Sequence, residues 1–269
     1  MIKETTRMDL QLKDRTVVVT GASSGVGLAT ARYLLAEGAK VAACARDAGR
    51  LAEAFDQFAW ADKNSIYLAT CDVTDRKATD AFVAGTLESF EAVDGLVCNA
   101  GRSLMATLDE TSDEQFREEF DLKIFGVLNI VRSARAALAA SPHGSVVNVN
   151  AILSRQPELR LAATSAARAG LLNLSHSLSE DLAADGTRVN SVLLGLIDTG
   201  QWRRRFEQSG SGLDFTEWSA EITKDRGVKL GRFGTADEVA FHILTLLSPL
   251  SGYTTGATID VGGGVGRYV

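Results

Sequence analysis

The fold of this chain is decided by one glycine-rich stretch, Thr20-Gly21-Ala22-Ser23-Ser24-Gly25-Val26-Gly27. The apolar run that precedes it, residues 16–19, is typical of a buried parallel strand. The pattern that follows, residues 28–35, predicts a helix that ends at Gly38. A strand, a glycine-rich turn and a helix in this order bring backbone N–H groups to a negatively charged ligand. The stretch therefore predicts a pyrophosphate site, formed by Gly21, Ser23, Ser24, Gly25, Val26 and Gly27.

The charge of the chain argues against nucleic acid as its main partner. The net charge is −6 over 269 residues, and no predicted helix carries a dense cluster of Lys and Arg. The one basic run, Arg203-Arg204-Arg205, is interpreted as a solvated helix face. No apolar run is long enough to span a bilayer, and the first residues lack the apolar core of a secretory signal. We therefore expect a cytoplasmic protein, with no membrane partner, that binds a small molecule.

Three cysteines, Cys44, Cys71 and Cys98, each fall near the end of a predicted strand. A repeat of strand and helix accounts for their even spacing, so we interpret them as small buried residues. They are not expected to be metal ligands or disulfide partners, and the sequence predicts no metal site.

Strands and helices alternate along the whole chain. Apolar runs predict strands at residues 16–19, 40–45, 65–70, 95–98, 145–150, 188–194 and 257–261. Amphipathic patterns predict the intervening helices, including two long ones at residues 112–140 and 161–184. This alternation is typical of the α/β class with one doubly wound parallel sheet of the Rossmann type, and it places ligands at the carboxyl ends of the strands. We therefore predict a single domain over residues 1–269.

Two segments depart from this alternation. Residues 198–234 hold Trp202, Trp218 and a flexible Ser-Gly run, and we interpret them as a lid over the site, with an oligomer contact as the alternative. Residues 1–15 are expected to form a loosely held arm.

Further motifs resemble those of the short-chain dehydrogenase/reductase family, and the chain is similar to its bacterial 3-oxoacyl-carrier-protein reductase branch. The resemblance covers residues 12–264. Besides the glycine-rich stretch, it rests on Cys71-Asp72-Val73, Cys98-Asn99-Ala100-Gly101, Gly195-Leu196-Ile197-Asp198-Thr199 and Ile259-Asp260-Val261-Gly262-Gly263.

The resemblance implies roles for the residues of the adenine and ribose side. Asp72 would accept a hydrogen bond from the adenine amino group, with Val73 beside it. Asn99 would brace the sheet, while Ala100 and Gly101 would let the cofactor ribose lie close. Asp72 acting only as a turn residue is the alternative.

The choice of cofactor depends on the nicotinamide side and on the end of the second strand. The backbone of Ile197 and the hydroxyl of Thr199 would hold the nicotinamide amide, unless Thr199 is only a helix cap. NAD-specific members of the family carry an acid at the end of the second strand, where this chain has Arg46. A guanidinium there suits a 2′-phosphate, so we predict NADP, with NAD as the alternative.

All four positions at which this family carries its catalytic residues are different here. Thr164 stands where Tyr is expected, and Arg168 stands where Lys is expected. The expected Ser is Ala151, preceded by Asn150, and the expected Asn is Lys123. We take Lys123, Asn150, Thr164 and Arg168 as the candidate catalytic residues.

These departures remove the usual proton donor. The hydroxyl of Thr164 is too weak an acid to supply the proton. Arg168 stays charged near pH 7 and does not supply a proton either, but it can still hold the ribose hydroxyls. Lys123 is the candidate replacement, because burial and the charge of Arg168 would lower its pKa. The alternative is that Lys123 only holds its helix in place. Tyr268 could reach a partner subunit's site, although a packed tail is the simpler interpretation.

Two functions follow from this pattern. The first is an NAD(P)-dependent oxidoreductase, of the carbonyl reductase or alcohol dehydrogenase type, with a non-standard proton-handling site. The second is a dinucleotide-binding protein without redox activity, acting as a partner subunit or sensor, and a lyase or isomerase on the same scaffold is a further alternative.

The substrate is expected to be a small molecule of apolar character, and the residues that could contact it are Leu153, Arg155, Glu158, Leu159, Arg160 and Leu161. The resemblance and the apolar long helices predict a homotetramer, with a dimer as the alternative.

Overall fold

A computed structural model of the chain describes residues 8–268. In this part of the chain seven parallel strands form one sheet in the order β3-β2-β1-β4-β5-β6-β7. The strands are β1 (Thr16–Thr20), β2 (Lys40–Ala45), β3 (Ile66–Thr70), β4 (Gly95–Cys98), β5 (Ser145–Ala151), β6 (Arg188–Leu194) and β7 (Thr258–Val261). The strand order reverses direction between β1 and β4, and in such sheets this is the crevice where ligands bind. The predicted fold class is confirmed.

The helices cover both faces of this sheet. They are α1 (Gly25–Ala36), α2 (Ala48–Asp56), α3 (Arg76–Phe90), α4 (Asp113–Phe120), α5 (Gly126–Ala140), α6 (Ala162–Asp181), α7 (Gly200–Ser209), α8 (Phe215–Arg226) and α9 (Ala236–Leu247). One core cluster joins the sheet to α1, α2 and α9, and another joins it to α3, α5 and α6. Successive residues of a strand enter opposite clusters, as Val17 and Val18 do, because side chains alternate across a sheet.

The three cysteines are buried and free, as predicted. Cys44 lies in β2 and Cys98 in β4, while Cys71 directly follows β3. Burial raises the pKa of the Cys98 thiol to about 12, so this thiol stays protonated at neutral pH.

The helix predicted at residues 112–140 is in fact divided. Ser112 begins α4 with a capping box, and a π-helical turn at Asp121–Phe125 separates α4 from α5. Such turns are rare and occur mostly near functional sites. The amphipathic pattern gave no sign of the turn, because the same apolar spacing continues on both sides of it.

The segment 198–234 folds into α7 and α8, which pack on each other through aromatic rings. Trp202 contacts Trp218 and Phe233, with ring centroids 6.1 and 4.9 Å apart, and this cluster packs around a third buried core. The segment is therefore an ordered helical cap, while its role as a lid stays a prediction.

The predicted arm at residues 1–15 is wrong for the residues that the structure describes. Leu12 is buried in the first core cluster, and the hydroxyl of Ser248 donates to the carbonyl of Leu10 at 2.8 Å. The chain before β1 is therefore held against α9, whereas residues 1–7 lie outside the described residues. No helix within residues 8–268 has the length and apolar character needed to cross a membrane.

Candidate active site

The glycine-rich turn follows β1 and lies against the end of β4. Gly21 has a φ of +67°, and a Cβ there would lie 2.8 Å from the Cα of Ala100. A Cβ at Gly27 would lie 2.5 Å from the amide nitrogen of Asn99, so neither position accepts a side chain. Asn99 donates from this nitrogen to the carbonyls of Thr20 and Gly21 at 3.0 Å, which is the bracing contact that the resemblance implied.

The turn ends at the first residue of α1. The hydroxyl of Ser24, the N-cap residue, makes no hydrogen bond to the helix, so the first N–H groups of α1 remain available. No acidic residue occupies the first turn of this helix. Backbone N–H donors and the positive end of the helix dipole together fit a phosphate group.

A cavity of about 370 Å³ opens in front of this turn, and we call it the cofactor cavity. Its lining includes most of the predicted cofactor residues: Gly21, Ser23, Ser24, Gly25, Val26, Arg46, Asp72, Val73, Asn99, Ala100, Gly101, Arg168 and Thr199. Gly27 lies behind the wall, where it permits close packing, and Ile197 lines the neighbouring cavity instead. The structure therefore gathers the predicted set around one space.

Several charged side chains line this cavity. Arg46, Arg50 and Arg204 contribute guanidinium groups to the wall. Partial burial would raise the pKa of Asp72, but hydrogen bonds from the N–H and the hydroxyl of Thr74 outweigh it and keep that pKa below its ordinary value. Asp72 therefore stabilises its own turn through Thr74, as the alternative interpretation held. It is also an ionised hydrogen-bond acceptor at the cavity wall.

The predicted catalytic residues Lys123 and Thr164 meet at a carboxylate that sequence reasoning missed, Glu119. The ammonium of Lys123 donates to Oε2 of Glu119 at 2.7 Å, and the hydroxyl of Thr164 donates to the same oxygen. Thr164 also accepts from the N–H of Leu104 at 3.0 Å. All three side chains are at most 2% exposed. We call these three residues the Glu119 cluster.

The sequence held one indication of the ion pair between Glu119 and Lys123. Glu119 precedes Lys123 by four residues, the spacing at which helix side chains meet. The pKa of Lys123 is lowered to about 8, first by burial and then by the charge of Arg168, while Glu119 opposes the shift. The direction and the causes are those predicted, but neither Lys123 nor Thr164 lines the cofactor cavity or the cavity next to it. Lys123 as the proton donor therefore stays a prediction.

Arg168 is the charged candidate catalytic residue that faces open space. It lines the cofactor cavity and also a second, smaller cavity beside it, of about 140 Å³, which we call the substrate cavity. One guanidinium nitrogen donates to the carbonyl of Val149 at 2.8 Å, and Nε is buried without a hydrogen-bond partner among the described residues. Burial lowers the pKa of Arg168 to about 10, so the group stays charged at neutral pH.

Asn150 holds the backbone beside Arg168. Its amide nitrogen donates to the carbonyl of Arg168 at 3.0 Å, and its oxygen accepts from the N–H of Ala151 at 2.9 Å. Asn150 also lines the substrate cavity.

The substrate cavity has apolar and charged walls. Of the residues proposed from sequence to contact a substrate, Leu153, Glu158 and Leu161 line it, but Leu159, Arg155 and Arg160 do not. Arg155 instead donates to Thr258. The hydroxyl of Tyr268 donates to Asp260 at 2.7 Å, so the chain end is packed on its own subunit, the simpler of the two interpretations.

The basic run of α7 is not a uniformly solvated face, and that prediction is wrong. Arg204 lines the cofactor cavity and Arg205 lines the substrate cavity, and of the three only Arg205 is half-buried, whereas Arg203 and Arg204 are exposed. Arg226 of α8 and Trp202 of α7 also line the substrate cavity. Sequence analysis missed Arg204, Arg205 and Arg226 as site residues. For the first two, the basic run 203–205 was the feature of the sequence that could have indicated them.

A family model described as short chain dehydrogenase matches residues 15–210, which is well over half of the chain. The protein belongs to the short-chain dehydrogenase family. A curated relative, the granaticin polyketide synthase putative ketoacyl reductase 1 of Streptomyces violaceoruber, is 32% identical over 256 residues, covering 93% of each chain.

Solved structures of the family agree with this assignment. A short chain oxidoreductase from Pseudomonas aeruginosa PAO1, described as containing an atypical catalytic center, is 43% identical. Its apo structure has a TM-score of 0.91 and covers 96% of this chain and 99% of that one. L-sorbose reductase from Gluconobacter frateurii, complexed with NADPH and L-sorbose, is 27% identical with a TM-score of 0.91, covering 97% of this chain and all of that one. The predicted family and the class of activity, an NAD(P)-dependent oxidoreductase, are confirmed.

This short-chain dehydrogenase links its unusual residues through contacts. Two of the four replaced positions, Lys123 and Thr164, are joined by Glu119, and a third, Arg168, is the charged residue at both cavities. Lys123 and Thr164 are thus joined by hydrogen bonds to Glu119, and Arg168 acts on Lys123 through its charge while it lines both cavities.

Proposed function

We propose that this protein is an NADPH-preferring oxidoreductase that interconverts a small carbonyl compound and its alcohol, with Arg168 as the charged group at the reacting oxygen. The observation that carries the proposal is the position of Arg168, the charged side chain common to the cofactor cavity and the substrate cavity. The boundary between these cavities is where a cofactor and a substrate would meet.

The residues of the cofactor cavity fit a phosphorylated dinucleotide. Ser23, Ser24 and the free N–H groups of α1 would hold the pyrophosphate, and Arg46 would hold the 2′-phosphate. Asp72 would accept from the adenine, and the buried, unpartnered Nε of Arg168 fits a ribose hydroxyl. NADPH, when bound, supplies the hydride. The Pseudomonas oxidoreductase that is 43% identical has an NADPH-bound structure, which supports the same preference here.

Arg168 would stabilise the negative charge that develops on a carbonyl oxygen. Its guanidinium is fixed by Val149 and by the amide of Asn150 on its backbone, so little reorganisation is needed during the reaction. A charge held in a water-poor site interacts more strongly than one in water. The proton on the product oxygen then comes from water that enters the substrate cavity, unless Lys123 supplies it.

The test is turnover with and without this charge. Arg168→Met is expected to lower kcat by about 100- to 1000-fold, as removal of one oxyanion donor does. Reduction of a panel of ketones and aldehydes is followed by the absorbance of NADPH, while NADPH and NADH are titrated separately into both proteins. Tight binding of NADPH by the native protein without turnover of any compound would favour the alternative, a dinucleotide-binding protein without redox activity.

We further propose that the protein is a homotetramer. Phe125, at the π-helical turn, and Phe241, on α9, are 52% and 60% exposed, which leaves apolar surface on two different sides of the subunit. Light scattering at micromolar concentration tests this assembly, and a monomer would contradict it.

A further inference from the structure

Three consecutive arginines of α7 point to three different surroundings. Arg203 pairs with Asp198 at 2.5 Å and lies over the ring of Phe215. Arg204 lines the cofactor cavity and Arg205 lines the substrate cavity. Successive helix residues are about 100° apart, which explains why one short run serves a surface ion pair and two cavities.

Arg205 is half-buried and has no carboxylate partner. Within residues 8–268 its guanidinium makes no hydrogen bond and no ion pair. It lies over the ring of Trp202, 4.6 Å from the ring centroid, and Arg226 lies 5.6 Å from the same centroid. Burial and then the charge of Arg226 lower the pKa of Arg205, while the charge of Glu158 opposes the shift.

The substrate cavity has an excess of positive charge. Its charged lining residues are Arg168, Arg205, Arg226 and Glu158. Nη1 of Arg226 donates to Oε1 of Glu158 at 2.7 Å and lies 2.5 Å from Oε2, so the one carboxylate in the lining is already paired. Two guanidinium groups are left without a carboxylate in a protein whose net charge is −6. Partly buried charge of one sign is costly unless a ligand compensates it.

We propose that the substrate of this cavity is a small carbonyl compound that carries a carboxylate, and that Arg205 binds this carboxylate. The inference rests on the oxidoreductase function proposed above. A planar guanidinium matches a carboxylate through two parallel hydrogen bonds, and the cation–π contact with Trp202 holds the guanidinium of Arg205 at this wall.

The size of the cavity limits the rest of the molecule. A cavity of about 140 Å³ is comparable to one of about 150 Å³ that holds a benzene molecule. Leu153 and Leu161 line its apolar part, which suits a short hydrocarbon chain between the carbonyl and the carboxylate. A short oxo acid therefore fits better than a long acyl chain.

The experiment compares acids with matched neutral amides. Binding of valerate and valeramide to the protein without cofactor is measured by calorimetry and by quenching of tryptophan fluorescence, since Trp202 adjoins Arg205. The proteins are the native chain, Arg205→Met and the control Arg203→Met, which removes an arginine from the same helix outside the cavities. In the native chain and in the control, valerate is expected to bind at least about tenfold more tightly than valeramide, and this preference should disappear in Arg205→Met.

Turnover separates this inference from the function on which it rests. Reduction of levulinate is expected to lose about tenfold or more in kcat/KM in Arg205→Met, whereas reduction of levulinamide should stay within a few-fold. If the native protein reduces both compounds equally well and Arg205→Met changes neither, the carboxylate site is wrong while the oxidoreductase function stands. If valerate binds through Arg205 but no carbonyl compound is reduced, the site stands and the proposed function fails.

Discussion

The two halves of the site are built from different parts of the chain. The cofactor half, from β1 to the end of β4, uses backbone: N–H groups at α1, and glycines at which a Cβ would collide with Ala100 or Asn99. The catalytic half, from α4 to α6, uses side chains, and there Glu119, Lys123, Thr164 and Arg168 form a set. A backbone site allows few residue types, whereas a side-chain site can be exchanged as a unit if its charges and hydrogen bonds remain satisfied.

The largest effect is expected at the centre of the exchanged set. Glu119→Gln removes the carboxylate that Lys123 and Thr164 share and leaves a buried ammonium unpaired. Breaking a buried ion pair in this way costs about 3–5 kcal/mol of unfolding free energy. Glu118→Gln is the matched control, because its pair with Arg102 is half exposed and is worth at most about 1 kcal/mol. Urea denaturation measures the unfolding free energy of both variants. Equal losses would show that the Glu119 cluster contributes no more to stability than the exposed ion pair of Glu118.

The next largest effect is a pH dependence of the unfolding free energy that comes from Lys123. Its pKa is about 8 in the folded protein against an ordinary 10.5, so the unfolded chain binds this proton more tightly. The folded state therefore gains stability as pH rises from about 8 to 10.5, by about 3 kcal/mol in total. Lys123→Met lacks the group, so the stability of the native protein relative to this variant should rise over that range.

The same variant tests the chemistry. If Lys123 is the proton donor, Lys123→Met abolishes turnover while the affinity for NADPH stays within a few-fold. Full activity in a folded variant, or loss of NADPH binding, would instead assign Lys123 to the positioning of its helix. Both readouts are taken on the same preparation, so that unfolding is not mistaken for a catalytic defect.

Two neighbouring hydroxyl groups on α6 allow a comparison of smaller losses of stability. Thr164→Val removes the partner of the Leu104 N–H and of Glu119, and we expect a loss of about 1–3 kcal/mol. The hydroxyl of Ser165 is equally buried but has no hydrogen-bond partner among the described residues, so Ser165→Ala should be nearly neutral. Thermal unfolding of the two variants measures the difference, and a larger loss for Ser165→Ala would contradict the assigned bonds.

The smallest effect belongs to the cofactor half. Arg46→Ser removes a guanidinium from the wall of the cofactor cavity and should weaken NADPH binding by about tenfold, or about 1.4 kcal/mol. NADH lacks the 2′-phosphate and should bind with unchanged affinity. Fluorescence titration of both cofactors gives the ratio, and a parallel loss for NADH would mean that Arg46 does not contact the phosphate.

The cofactor half could be predicted from sequence because each motif acts locally. The turn after β1 needs glycine at Gly21 and Gly27 whatever the rest of the chain does, and Arg46 follows its strand directly. The Glu119 cluster could not be predicted in the same way. The hydrogen bond from Thr164 to Glu119 depends on the packing of α6 against α4, which is a tertiary feature.

The cap over the substrate cavity shows the same limit. The aromatic residues of 198–234 indicated a lid over the site, but the side to which Arg205 turns depends on where α7 starts. A shift of one residue in that start would place Arg204 where Arg205 lies and Arg205 where Phe206 lies, or the reverse. Sequence periodicity does not fix a helix start to one residue.

The π-helical turn at Asp121–Phe125 also determines where the chain tolerates a change in length. A π turn holds one more residue than the α turn it replaces, so removal of a single residue there can restore a continuous α-helix. The apolar faces of α4 and α5 would then keep their orientation toward the sheet. We expect deletion of Asp121 or Leu122 to preserve the fold and to change the spacing of Glu119 and Lys123 from four residues to three, whereas a one-residue deletion inside α5 would rotate the rest of that helix by about 100°.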